Sequence, residues 1–575
     1  MRRTKITATI GPSCDDPIIM AKMMCAGMDV ARLNLSHGDR ETHRQRIRLL
    51  RKTSQEVGIE IGIMLDTCGP EVRLTQLDQP RELKPGDYLV LTRDDVPGPD
   101  RVGVSWDGIF SMIAPGHQLW VDDGNLVMRC IEQRSNALKL EVVVGGILKN
   151  RKKISSPDST WPLDILTDRD RDILLMGIEE EMDFVAASFV RSAEDVVAIR
   201  KFFEVNRFDP LIISKIENRA GVENLAEILA VSNGVMVARG DLGVELPPEQ
   251  VPWLQKDIIL QANELGIPVV TATQMLESMT HNPRPTRAEV SDVAHAIWDG
   301  SDSVMLSAET ASGQYPVEAV QMMAKIAGDA DARREYVIPR ARATSRVADA
   351  VSRAAAEVAD SLDARAILTS TATGYTARMV SRSRPSVPIV AISPSQTVVR
   401  RLKLTWGVFP LSSDDAEHSD DMVAKAIEAA ADCGYVSDGD LVVLIAGVPS
   451  GIPGTTNFLR VETVSNPVLV GTGLGYGEPV TAVVRFQPSR YEPLQEEPYI
   501  AVAIDFDSET ADFFRHAKAV VAERSGRTSD IAVAAITMGI PAIVGVEGAR
   551  TRLHNGQIVT IDPIRGVIYK GRAKI

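Results

Sequence analysis

Eight short, apolar, β-branched runs recur through the first half of the chain, most of them separated by a segment long enough for one helix. They are KITATI (5–10), DVARLN (29–34), IEIGIMLD (59–66), DFVAASF (183–189), PLIISKIE (210–217), NGVMVARGD (233–241), PVVTATQ (268–274) and DSVMLSA (302–308). Runs that are apolar throughout, rather than alternating, belong to parallel strands buried on both faces. Helix-like stretches near 192–204, 221–230, 249–265 and 286–299 supply the crossovers. Eight strand–helix units in succession predict an α/β chain built on a (β/α)8 barrel. One large open Rossmann sheet is the weaker reading, because no GxGxxG follows an early strand.

The rhythm breaks between the third and fourth runs, where about 90 residues replace one helix. That stretch holds RVGVSWDG, QLWVDDGNLVMRCIE and ALKLEVVVGG, strand-like runs punctuated by Gly, Asp and Pro. The expectation is a barrel over 1–69 and 161–339 with an inserted β-rich domain over 70–160. From about 340 an Ala-rich helical segment leads into ARAILTSTATG, VPIVAIS and DLVVLIAG, an α/β domain over 340–475. A fourth unit, 476–575, completes the 575 residues. The formal net charge of -14 argues against a nucleic-acid binder. Five cysteines without a CxxC pair exclude a disulfide scaffold and a structural zinc site. Cys25, within MMCAGM, reads as a small buried hydrophobe. Apolar runs fall well short of the ~18 residues of a membrane span, and MRRTKITATIGPS has no apolar signal-peptide core. The expectation is a cytoplasmic protein with neither membrane nor nucleic acid as partner.

Function in such a barrel gathers where strands end at the C-terminal face. The strand ends read Arg32, Asn34 and Ser36; Asp66 and Thr67; Ser188; Lys215 and Glu217; Asp241; and Thr273. Glu217 and Asp241 follow adjacent strands, and two carboxylates in one pocket favour a shared proton or a divalent cation. With Lys215, Arg32 and Arg73 as cations for phosphate, Mg²⁺ is the better reading. A Schiff-base role for Lys215 is the weaker alternative. The turn Arg239-Gly240-Asp241-Leu242-Gly243 offers backbone N–H groups to an anion. Asn34, Ser36, Asp66 and Thr67 form a low-charge oxygen cage suited to a monovalent cation, with His37 beside it.

These residues resemble those of pyruvate kinases. ITATIGPS (6–13), ARLNLSHG (31–38), LDTCGPEVR (65–73), VDDG (121–124), AASFVRS (186–192), SKIEN (214–218), VARGDLGVELP (237–247), ATQMLESM (272–279), PTRAEVSDVA (285–294) and SAETASGQYP (307–316) fall in the family's order. The resemblance, over about 1–475, implies phosphoryl transfer from phosphoenolpyruvate to ADP, giving pyruvate and ATP. It implies that Arg32 and Lys215 neutralise the phosphoryl group, that Glu217 and Asp241 hold Mg²⁺ (or Mn²⁺), and that Thr273 orients the substrate carboxylate or a proton-delivering water. Asn34, Ser36, Asp66 and Thr67 would bind K⁺, and Glu71 accompanies K⁺ dependence. His37 and Arg73 would place nucleotide phosphates, and the inserted domain would act as a lid. A homotetramer is implied, with a phosphorylated effector near Thr369, Ser370, Thr371, Thr373, Gly374 and the loop 447–457.

Three departures stand out: Cys68 where the family has Lys in LDTKGPE, KKISSPD (152–158) in place of KGVNLPG, and Ala308 for a Gly. The tail, with ERSGRTSDIAVAAITMGIPAIVGVEGA (523–549), resembles the phosphohistidine domain of PEP-utilising enzymes, but Asp530 stands where that domain carries its His. The expectation is a non-catalytic appendage. Two alternatives remain open on sequence: a catalytically impaired regulator with the same fold, and a PEP synthase or dikinase-like phosphotransferase.

Overall fold

The computed structural model describes the chain except residues 95–97, 99, 123, 160, 334–345, 414–418, 448–455, 465–467, 476, 488–497, 505, 507–510, 525, 527 and 574–575. It divides into two compact units, Met1–Arg342 with Thr397–Val408, and Ala343–Gln396 with Phe409–Ile575.

In the first unit the eight apolar runs close into a parallel barrel in sequence order: Lys5–Thr9, Val30–Asn34, Gly62–Asp66, Phe184–Ala187, Leu211–Ile216, Gly234–Ala238, Val269–Ala272 and Ser303–Leu306. The strands are buried almost throughout, which is why their sequence does not alternate. Met64, Phe184, Ile213, Met236, Val270 and Met305 fill the interior, and a larger shell of aliphatic and Met side chains joins the strands to the helices. Helix starts are set by short polar side chains. Asp16 and Asp39 cap the helices Pro17–Ala26 and Arg40–Val57. Thr167 with Asp170, and Thr286 with Glu289, form reciprocal capping boxes. Cys25 is exposed, contrary to expectation, because the helix Pro17–Ala26 turns Met20, Met23 and Met24 inward and leaves Cys25 on the outer face.

The N-terminal end of the barrel is closed by a segment from far along the chain. Leu404 joins the interior cluster, Arg400 Nε pairs with the buried Asp183 at 2.8 Å, and the Trp406 N–H donates to Asp302 at 3.1 Å. Lys5 Nζ donates to the Val408 carbonyl at 2.6 Å. Sequence reading places 397–408 within the α/β domain of 340–475; by its contacts the segment groups with the barrel.

The insertion is a seven-stranded sheet, ordered Val72–Arg73, Lys153–Ser155, Gln118–Val121, Leu126–Arg134, Ala137–Val144, Tyr88–Thr92 and Arg101–Gly103. A ribbon of Gly146–Leu148 with Arg81–Leu83 accompanies it. Its core is its own, built from Leu89, Leu91, Leu119, Met128, Leu138 and Leu140. The outgoing and returning strands pair with one another, Lys153 opposite Arg73, so the insertion's connections to the barrel form a two-stranded stalk that is also one edge of its sheet. Gly69 begins the stalk at φ +68°, where a Cβ would lie 2.9 Å from the Phe189 ring.

The second unit holds two sheets. The first is ordered Val408–Ser412, Ile389–Ser393, Ala366–Ser370, Leu441–Gly447 and Thr456–Thr463, the last strand antiparallel. The second has eight strands, with Val480–Phe486, Tyr499–Ala503, Ala519–Ala522 and Ala542–Val544 as its parallel centre. Leu469–Val470 and Thr472–Gly473 form its two edges, so this sheet recruits chain from upstream of position 476. No helix among the described residues is long and apolar enough to cross a membrane.

Candidate active site

The C-terminal mouth of the barrel assembles a connected ion network. Asp66 ends the third strand with its carboxylate fully buried. Arg32, on the second strand, donates from Nε to one oxygen at 2.6 Å and from a terminal nitrogen to Thr9 Oγ1 at 2.9 Å. Lys215, on the fifth strand, reaches the other Asp66 oxygen at 3.0 Å, Glu217 Oε1 at 2.8 Å and Ser188 Oγ at 2.7 Å. Ser188 in turn donates to the Thr67 carbonyl at 2.7 Å. Arg32, Asp66, Thr67, Ser188, Lys215 and Glu217 are all buried.

Charge balance inside this network sets its protonation. Burial pushes the Asp66 carboxyl up, but Arg32 and Lys215 outweigh it and hold the group below the usual carboxylate range. Burial likewise opposes the Lys215 ammonium, yet Asp66 and Glu217 keep it above its ordinary value. Glu217 goes the other way. Burial raises it, Lys215 pulls against that rise, and the like charge of Asp241 adds to it. A buried carboxylate under that strain gains from a cation beside it.

Glu217 Oε2 accepts the Phe189 N–H at 2.7 Å, and Phe189 holds φ +58° to present it. Asp241 lies on a helix, Arg239–Glu245, and not on the expected turn, because the chain passes directly from strand to helix after Ala238. The Gly240 N–H donates to Thr273 Oγ1 at 2.8 Å, and that hydroxyl donates to the Ala272 carbonyl at 2.7 Å. Thr273 and Gln274 sit at φ +68° and +55°. For a β-branched residue this is strain, held here by Arg239, which donates to the Thr273 carbonyl and pairs with Asp292.

Asn34 and Asp66 are direct partners in the strand ladder, the one pair of the expected cage that the register places side by side. Asn34 Oδ1 accepts the Ser36 N–H at 3.1 Å, and Thr67 Oγ1 already serves the Ser188 N–H at 3.0 Å. Ser36 and His37 are exposed. Arg73 stands apart from the network on the stalk. Its guanidinium binds Glu71 and the Arg151 carbonyl. Among the described residues no group of three or more His, Cys, Asp or Glu side chains forms a ready-made metal cage. The pair Glu217 and Asp241 is a partial shell of hard oxygens that suits Mg²⁺, which keeps waters and substrate oxygens as its other ligands.

In the second unit Thr371 Oγ1 accepts the Gly374 N–H at 2.9 Å, and Thr373 Oγ1 faces the Tyr375 N–H at the start of the helix Tyr375–Arg382. Ser370 ends the preceding strand; Thr369 is wholly buried within it. The loop 448–455 lies outside the described residues. Asp530 is the exposed first residue of the helix Asp530–Met538, capped by Ser529.

Strand-end reading found the network but missed three members. Phe189 acts through its backbone N–H, Arg239 acts on the backbone of Thr273, and Lys153 approaches from the insertion to 3.5 Å from Asp241. Only Arg239 had a local signal, its place beside Gly240.

A closed parallel barrel whose mouth gathers buried cations and carboxylates is the frame of a (β/α)8 enzyme. A family model described as "Pyruvate kinase, barrel domain" matches residues 1–320, one described as "Pyruvate kinase, alpha/beta domain" matches 349–462, and one described as "PEP-utilising enzyme, mobile domain" matches 495–566. The pyruvate kinase of Bacillus licheniformis is 43% identical over 588 residues, and that of Geobacillus stearothermophilus 42% over 589, each covering 100% of both chains. A crystal structure of a pyruvate kinase from Cryptosporidium parvum superposes with a TM-score of 0.74 at 36% identity, over 80% of this chain and 96% of that one. The chain belongs to the pyruvate kinase family. It transfers the phosphoryl group of phosphoenolpyruvate to ADP, giving pyruvate and ATP, and the full-length identities support that reaction over the impaired-regulator alternative.

Proposed function

We propose that Lys215 is the centre of this transfer. The observation that carries the reading is its buried ammonium, within 3.0 Å of Asp66, Glu217 and Ser188 at once. Phosphoryl transfer asks chiefly for alignment and for positive charge around the equatorial oxygens. Lys215 and Arg32 supply that charge from fixed positions, so little reorganisation accompanies reaction. Lys215 also stabilises the enolate left when the phosphoryl group departs. Ser188 and the segment at Gly240 and Asp241 bind the substrate. Thr273, fixed by Gly240 and Ala272, orients the substrate carboxylate or the water that protonates the enolate. His37 and Arg73 place the nucleotide phosphates.

Glu217 and Asp241 hold Mg²⁺ or Mn²⁺, which when bound supplies charge to substrate oxygens. The raised carboxyl of Glu217 is the feature that fits such an ion. Asn34, Ser36, Asp66 and Thr67 hold K⁺, supported by the register of Asn34 opposite Asp66. The inserted domain, on its stalk, closes to exclude water. A phosphorylated effector binds at the helix start of Ser370, Thr371, Thr373 and Gly374, where hydroxyls and N–H groups suit phosphate. The working assembly is a cytoplasmic homotetramer, and the C-terminal sheet, with Asp530 in place of a phosphorylatable His, carries no phosphoryl group.

A coupled assay of phosphoenolpyruvate and ADP tests this reading. Turnover requires Mg²⁺ or Mn²⁺ and falls at least tenfold when K⁺ is replaced by a large organic cation. Equal rates with and without K⁺ would remove the monovalent site.

A further inference from the structure

Lys153 opens the returning stalk strand, opposite Arg73 on the outgoing strand. It occupies the segment KKISSPD, where the family resemblance expects the glycine of KGVNLPG. Its ammonium lies 3.5 Å from Asp241 Oδ1 and 4.3 Å from the centre of the Phe189 ring. Phe189 is the residue whose strained backbone donates to Glu217 Oε2 at 2.7 Å. One side chain of the insertion therefore meets the carboxylate pair twice, directly at Asp241 and through Phe189 at Glu217. The contact borders a cavity of about 160 Å³ lined by Glu71, Trp161, Arg219 and Glu245 as well as Lys153 and Phe189. Ile154 and Val72 anchor the two stalk strands in the insertion's own core, so the group free to move at this cavity is the Lys153 side chain.

We propose that Lys153 is a latch between the stalk and the carboxylate pair, displaced when a divalent cation binds there. The inference rests on Glu217 and Asp241 being the divalent site. An ammonium paired with Asp241 opposes a dication arriving at the same carboxylate, because like charges a few ångströms apart repel strongly in a partly buried site. Occupation of the pair therefore releases the Lys153 side chain and its hold on the insertion, and that release in turn improves access for the ion. Such coupling is reciprocal, so stalk position and metal affinity report on each other. Lys153 is a positioning residue in this scheme, acting through Asp241 and Phe189.

The test is Mn²⁺ binding to the full chain, followed by the paramagnetic signal of the free ion, in the parent and in Lys153→Gln, Lys153→Arg and Asp241→Asn. Lys153→Gln binds Mn²⁺ about three- to tenfold more tightly than the parent, the range expected for loss of a partly exposed pair and a cation–π contact. Lys153→Arg stays near the parent. The gap between Gln and parent narrows at high salt. Amide exchange over 153–156 accelerates on Mn²⁺ addition in the parent and is already fast in Lys153→Gln. Equal or weaker Mn²⁺ binding by Lys153→Gln would overturn the latch while leaving the metal site in place. Undiminished binding by Asp241→Asn would overturn the metal assignment, and the latch with it.

Discussion

Asp66 shows how much a single buried carboxylate organises here. It joins Arg32 to Lys215, is fully buried, and is a ladder partner of Asn34. Asp66→Asn leaves the buried Arg32 without a carboxylate and Lys215 with Glu217 alone, and destabilises the barrel by about 3–5 kcal/mol, measurable by denaturant unfolding. The parent's own acid sensitivity has a definite sign. Because Arg32 and Lys215 hold the Asp66 carboxyl low, its stabilising contribution is complete above the unfolded value near ~3.9 and is lost as pH falls through the lower folded value. Asp66→Asn flattens that acid limb. The residues of this network were legible in sequence because a parallel barrel delivers its strand ends to one face, so position along a strand translates directly into position in the site. Phe189, with its φ of +58°, and Lys153 were not legible, since a backbone donor and a contact across the stalk leave no mark in local pattern.

At the scale of elements, the barrel strands were readable from unbroken apolar runs, and the insertion from the length of one crossover. What escaped was the segment Thr397–Val408, whose apolar Leu404 and charged Arg400 look like any short helix until tertiary contacts place them under the barrel. Its contact with Lys5 gives a prediction in pH. Burial pushes the Lys5 ammonium down to about 8, against the opposing pull of Asp29. Below that pH the group is charged in both states and the folded chain bears the desolvation penalty. Between pH 8 and the ordinary value near ~10.4 the unfolded chain keeps a proton that the folded chain has released, so stability rises with pH. The rise from this group is roughly 3 kcal/mol. Unfolding midpoints taken from pH 8 to pH 10 climb less in Lys5→Met than in the parent, and identical slopes would show that the lysine is not the source.

For the molecule as a whole, an acidic chain of net charge -14 still buries the cations Arg32 and Lys215 in the barrel mouth, held there by Asp66 and Glu217. The C-terminal sheet begins earlier than composition suggested, with Leu469–Val470 and Thr472–Gly473 as its edges. Short edge strands have no periodicity to read, which is why the boundary was set at 476. A chain ending at Val464 therefore stays soluble and keeps more than a tenth of the parent turnover. One ending at 475 carries two strands without their sheet and aggregates. The opposite order of solubility, read by size-exclusion chromatography, would place the boundary elsewhere. The central claim is tested most directly by steady-state turnover of phosphoenolpyruvate and ADP in Lys215→Met, with circular dichroism and Mn²⁺ binding on the same sample. The account predicts a fall in kcat of at least about a thousandfold in a folded chain that still binds the ion, as removal of a fixed transition-state charge requires; a folded Lys215→Met with the parent rate would contradict it.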